Sequence, residues 1–201
     1  MNCRTILRNL LDGMVRDCPY IGLDRRAEKF VQLFENHIPA ASEILDIGGG
    51  WGFYEEPLRL RGHKVTVLDV VKPGFQKAPV VVYENGRFPF KDKSFDVSLL
   101  ITVLHHTRAP DAIIREAHRV TRYCVIVVED LYHHTAGRWW TVLRDCIYNL
   151  EFFGHPCNFK KKGEWKALFK RLGFSLAEAK EIYTWLCGLR ILNGIFVFRV
   201  L

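Results

Sequence analysis

An α/β fold, with a largely parallel sheet carrying helices on both faces, is what this sequence predicts. Three observations predict it: short β-branched runs alternate with segments of helical period, four glycines follow the first such run, and a lone aspartate, Asp69, closes the second. The elements follow in order. Ile6, Leu7, Leu10, Leu11 and Val15 recur at helical spacing, as do Ala27, Phe30, Val31 and Phe34. Two helices therefore fill the first forty residues, parted at residues 18–22 and ended by Pro39. Residues 44–47 then read as a strand, 53–61 as a helix, 64–70 as a valine-rich strand, 80–83 as a third strand and 95–104 as a fourth. Pro110 opens a helix over 110–120, since a missing N–H costs nothing at a first helical position. Residues 124–128 form a fifth strand, followed by Glu129 and Asp130. The period relaxes over 131–159, a stretch rich in aromatics and histidine. A helix over 164–172 stops at Gly173, and two last strands, 175–182 and 194–200, bring the count to seven.

With 201 residues, 49% hydrophobic and 25% charged, the chain is of globular composition and of a size for one domain. Residues 1–40 are expected to cap a core at 41–130, with 131–201 supplying a substrate side and the last strands. No apolar run is long enough to span a bilayer. Arg4, Arg8 and Asp12 interrupt the first apolar stretch, so no cleavable signal and a cytoplasmic location are expected. Six cysteines without a C-x-x-C pair are expected to be reduced thiols. The net charge of +7 is scattered apart from Lys160, Lys161 and Lys162, so a solvated surface is favoured over a nucleic-acid partner.

A turn from strand to helix at the carboxyl edge of a parallel sheet is where such folds bind ligands. Gly48, Gly49, Gly50 and Gly52 permit a sharp bend and a close backbone approach. The dinucleotide pattern G-x-G-x-x-G fails, because its sixth position is Phe53. What stands instead is D-x-G-x-G-x-G led by Asp46, with Asp69 placed to accept two hydrogen bonds from a ribose diol.

Four segments, "ILDIGGGWG", "VTVLDV", "ENGRFPFKDKSFDVSLLITVLHH" and "VTRYCVIVVED", carry a resemblance to a known family. Over residues 41–130 the chain resembles class I S-adenosylmethionine-dependent methyltransferases, in the small-molecule subgroup that includes ubiquinone and menaquinone biosynthesis enzymes. The resemblance implies a Rossmann-like, mostly parallel seven-stranded sheet with an antiparallel last strand, and S-adenosyl-L-methionine as cofactor. It implies that the loop of Asp46, Gly48, Gly49, Gly50, Trp51 and Gly52 meets the methionine part, with Asp46 and the Gly48 backbone toward its amino group. Asp69 would take the ribose hydroxyls, Val70 would pack on the adenine, Glu84 and the Asn85 backbone would meet the adenine edge, and the Ile101 carbonyl would face the methionine. Glu84 departs from the family's commoner aspartate, and Pro57 removes an N–H inside the first core helix.

Methyl transfer from a sulfonium needs chiefly an oriented acceptor, and a base only where the acceptor begins protonated. The candidates are His105 and His106 after the fourth strand and His155 in "EFFGHPCNF"; the alternative is that such histidines only shape the pocket. His37, His63 and His118 read as packing or surface residues. No metal site is expected, since the pairs His105–His106 and His133–His134 lack the i, i+4 spacing of a helical ligand set. Tyr132, His133 and Phe153 are the pocket candidates, whereas Trp140, Leu143, Ile147 and Leu150 sit at helical spacing and read as core.

The leading reading is methyl transfer to a small-molecule acceptor by in-line displacement, by a monomer or homodimer. Two alternatives stay open: an RNA base or nucleoside methyltransferase, which the lysine cluster suggests but no N/D-P-P-Y-type motif supports, and a non-catalytic cofactor-binding partner subunit. The first helix, with Ile6, Leu10 and Leu11 opposite Arg4 and Arg8, is expected to cap the domain in preference to lying on a membrane.

Overall fold

Burial on both faces selects the centre of the sheet. In the computed structural model, which describes residues 3–17, 22–84, 86–150 and 156–201, β1 (Glu43–Ile47), β4 (Phe95–Ile101) and β5 (Thr121–Asp130) are nearly continuous buried runs. Such runs belong in parallel strands covered from both sides. β2 (Lys64–Asp69) and β3 (Val80–Val82) extend the sheet outward from β1, and β6 (Phe174–Leu186) and β7 (Leu189–Val200) extend it from β5. The order is β3-β2-β1-β4-β5-β7-β6, parallel except for β7, which runs against both β5 and β6. The chain moves outward from β1 to β3 and then crosses to β4. The strand direction of growth thus reverses between β1 and β4, and this switch point opens a crevice above their carboxyl ends.

Helices cover both faces. Phe30, Val31 and Phe34 of α2 (Leu23–Phe34) pack on Ile44, Val97 and Ile126 of one face. On the other, Ile114 and Ala117 of α4 (Pro110–Val120) and Trp165 and Phe169 of α6 (Lys162–Arg171) meet Leu45, Val125 and Phe198. The Phe169 ring stacks on Phe198 with centroids 4.1 Å apart.

The predicted elements are present, with informative changes of length. The fourth strand stops at Ile101, because Thr102 takes a φ of 52° and turns the chain into a 3-10 turn at Leu104–His106. The helix predicted over 53–61 shrinks to α3 (Glu55–Arg59). Pro57 has no N–H to give an i−4 carbonyl, so it fits only within a first turn, and that fixes the start at Glu55.

α1 (Cys3–Asp17) and α5 (Thr135–Asn149) complete the helices. α5 overturns the expected core stripe: Trp140, Leu143 and Ile147 are 50%, 52% and 49% exposed, and its buried residues are Thr141, Arg144 and Asp145. The helix is inverted because its polar side has partners below. Arg144 pairs with Asp130 at the end of β5, Asn193 of β7 donates to the other Asp130 oxygen at 2.6 Å, and Thr184 of β6 donates to Asn193 at 2.5 Å. Arg26 of α2 stands 3.7 Å from the same carboxylate. Among the described residues, no helix is long and apolar enough to cross a membrane.

Candidate active site

The glycine loop is shaped by two approaches closer than any side chain allows. At Gly48 (φ 70°) a Cβ would lie 2.2 Å from Val103 Cγ2, and at Gly49 it would lie 2.4 Å from Asp46 Oδ2 and 2.7 Å from Val67 Cγ1. The Gly48 N–H donates to the Leu68 carbonyl at 2.7 Å, which holds the bend against β2. Open space lies over Gly50 instead. Gly49→Ala is therefore expected to destabilise the fold by about 1–3 kcal/mol, the usual cost of overpacking, read as a lowered melting temperature.

Two carboxylates face this loop from adjacent strands, and their environments differ. Asp69, half-buried at the end of β2, accepts from the Gly50 N–H at 3.0 Å and from the Val71 N–H at 3.2 Å. Asp46 is 1% exposed, and among the described residues its Oδ2 has no hydrogen-bond partner. Burial, and then the neighbouring charge of Asp69, push the Asp46 carboxyl up to about 7. A buried carboxylate oxygen with nothing to accept is costly, and a cation arriving in the crevice would relieve it. Val70 and Glu84 are exposed beside Asp69, and Ile101 is buried at the end of β4. Asn85 lies outside the described residues.

The histidines sort by their surroundings. His105 is 1% exposed: its Nδ1 lies 2.5 Å from Glu129 Oε2, its Nε2 lies 3.4 Å from Asp145 Oδ1, and its ring stacks on Phe159 at 4.4 Å. Burial opposes charge on this imidazole, but the Glu129 and Asp145 carboxylates outweigh it and raise its pKa to about 10. A base at this position would work against the two carboxylates, which favour the charged form of its ring. His106 is the more open of the pair, with Nε2 at 3.8 Å from Asp145 Oδ2. His155 lies outside the described residues. His37 pairs with Glu178, His63 accepts from the Ser42 N–H, and His118 packs edge-on to Phe174.

Tyr132 and His133 border a cavity of about 180 Å³ with Trp140, Arg144, Tyr183 and Arg190, beyond the carboxyl end of β5. Phe153 lies outside the described residues. The lysine cluster has partners within the chain: Lys160 lies over Trp165, Lys161 over Tyr132, and Lys162 reaches Glu181 at 3.5 Å.

Residues 45–128, from β1 through the glycine loop to β5, match the family described as methyltransferase domain. Over this stretch the chain is similar to a methyltransferase domain. The curated relatives of this domain include an uncharacterised protein of Methanocaldococcus jannaschii, 31% identical over 49% of this chain and 55% of its own. Another is a ubiquinone biosynthesis O-methyltransferase of Rickettsia prowazekii, 31% identical over 32% of this chain and 29% of its own. The chain thus spans about half, or less, of the curated relatives it matches. Solved structures share the fold over greater lengths. A SAM-dependent methyltransferase of Aquifex aeolicus aligns with a TM-score of 0.65 at 16% identity, covering 100% of both chains. A 1,6-didemethyltoxoflavin-N1-methyltransferase of Burkholderia thailandensis aligns at 0.66 and 17%, covering 98% of this chain and 88% of its own.

Two residues of the crevice escaped the sequence reading. Asp12 of α1, nearly buried, accepts from the Trp51 indole N–H at 2.8 Å and the Gly74 N–H at 2.7 Å, and so holds α1 against the glycine loop. Asp145 comes from α5 to the histidine pair. The signal for both was a charged residue within a helical stripe, which reads as an ordinary solvent face until the packing is known.

Proposed function

We propose that this chain transfers a methyl group from S-adenosylmethionine to a small-molecule acceptor. The observation that carries the reading is one pair of groups: a buried, unpartnered Asp46 oxygen beside a glycine bend, and the Asp69 carboxylate at the end of the neighbouring parallel strand. When bound, the cofactor supplies a methyl group already activated on a sulfonium sulfur. Asp46 would receive the cofactor's ammonium group, with the Gly48 backbone and the Ile101 carbonyl beside it. Asp69 would accept the two ribose hydroxyls, Val70 would pack against the adenine, and Glu84 would accept from its amino group. Holding the acceptor in line is then the main catalytic task of the chain. His106 would face the acceptor, while His105, pinned by Glu129, acts through position and charge. A small acceptor is favoured by the modest cavity beside Tyr132 and His133 and by the similarly folded 1,6-didemethyltoxoflavin-N1-methyltransferase, which is named for a small molecule.

Asp69→Ala is expected to weaken S-adenosylmethionine binding more than tenfold in calorimetry, from loss of charge-assisted bonds of about 1.5–3 kcal/mol. The demethylated product should suffer alike, because both share the ribose. Equal affinity in wild type and variant would reject the ribose assignment. A metabolite screen for methyl transfer then tests the acceptor class.

A further inference from the structure

We infer that His105, His106 and Asp145 form a binding site for one divalent transition-metal ion, with zinc the ion their chemistry suits. Among the described residues these three each offer a ligand atom, and the atoms lie within 4.8 Å of one another. His105 Nε2 lies 3.4 Å from Asp145 Oδ1, and His106 Nε2 lies 3.8 Å from Asp145 Oδ2. Around a tetrahedral zinc, with bonds of about 2.0–2.2 Å, ligand atoms sit roughly 3.4 Å apart, so side-chain rotation that closes the three in from at most 4.8 Å would complete the set. The backbone supplies the convergence. The 3-10 turn at Leu104–His106 places two successive imidazoles side by side, with ring centroids 4.2 Å apart, and α5 brings Asp145 across them.

A second shell is already built. Glu129, wholly buried, faces His105 Nδ1 at 2.5 Å with one oxygen and accepts from the Val103 and Leu104 N–H groups with the other, at 3.1 and 2.8 Å. A carboxylate on Nδ1 fixes the ring and directs Nε2 at a metal, the arrangement that supports most metal-ligating histidines. Two imidazoles and a carboxylate prefer zinc or a neighbouring first-row ion over magnesium, which favours an all-oxygen shell. Binding requires no redox step: the ion takes the Nε2 lone pair, and any proton there leaves to solvent. Three protein ligands leave a fourth position, which is the composition of a site that receives water or an acceptor oxygen. The site adjoins the crevice, because Val103, two residues before His105, is the side chain that presses on Gly48.

The inference does not rest on methyl transfer, and its probe is the metal alone. Tag-free protein, dialysed against a chelator, is titrated with zinc chloride by calorimetry and with cobalt(II) by visible absorption. One equivalent of zinc should bind, cobalt should give the intense bands of a four-coordinate site, and His106→Ala and Asp145→Asn should each weaken zinc binding at least tenfold. Circular dichroism confirms which variants remain folded; His106 is partly exposed, so its variant keeps the test valid if Asp145→Asn unfolds. No uptake by the wild type, or uptake unchanged in a folded His106→Ala protein, would overturn the site.

Discussion

Arg144→Ala is expected to cost about 3–5 kcal/mol of stability, the range for breaking a buried ion pair by removing one partner. Arg144 is buried against Asp130, and the alanine would leave that carboxylate with the Asn193 amide at 2.6 Å and the more distant Arg26 at 3.7 Å. The loss comes mainly from the abandoned charge and only secondarily from the missing contact. Because the cluster joins α2, α5, β5, β6 and β7, the variant should also release α5, whose outward face is apolar and supplies little to hold it. The double variant Asp130→Asn with Arg144→Met removes both charges and should lose less than Arg144→Ala alone. Urea denaturation of the three proteins measures this, and a loss below about 1 kcal/mol for Arg144→Ala would show that the pair is replaced by solvent.

Asp46→Asn is expected to have the opposite sign at neutral and higher pH. The carboxyl sits at about 7 in the fold against an ordinary 3.8. Below pH 4 both folded and unfolded chains hold the proton, so its contribution is fully present. As pH rises toward 7 the unfolded chain has lost the proton and the fold still binds it, so stability falls. A displacement of about three pKa units corresponds to roughly 4 kcal/mol. Without cofactor, Asp46→Asn should therefore gain on the wild type between pH 5 and pH 8 in paired denaturation curves. Cofactor binding should show the reverse: a cationic amino group favours ionised Asp46, so wild-type affinity should rise over that interval, and the asparagine variant should lose that rise. Denaturation differences independent of pH would remove Asp46 from this role.

Much of this was legible because it depends on local chemistry. A parallel sheet is announced by apolar runs at regular intervals, and β1, β2, β4 and β5 fall where those runs stand. The bend after β1 and the acids beside it were legible as positions, because glycines free of Cβ atoms mark a turn and Asp69 closes a valine-rich run. α5 was misread for a physical reason. Helical spacing of Trp140, Leu143 and Ile147 marks one face as apolar, but only the positions of Asp130 and His105 decide which face turns inward. The surroundings of His105 were hidden in the same way: its residue type fits a base, while the two carboxylates that flank its ring come from β5 and from α5.

By itself, then, the sequence determined the strand and helix alternation, the bend after β1 and the two acids that flank it. These follow from side-chain period, backbone freedom and the chain-order rules of parallel sheets. The tertiary structure alone decided the inversion of α5, the clamp of Asp12 on Trp51 and Gly74, and the meeting of His105, His106 and Asp145. The reason is that a buried polar group is placed by the partner that satisfies it, and Asp130 lies 14 residues from Arg144 while Trp51 and Gly74 lie 39 and 62 from Asp12 along the chain.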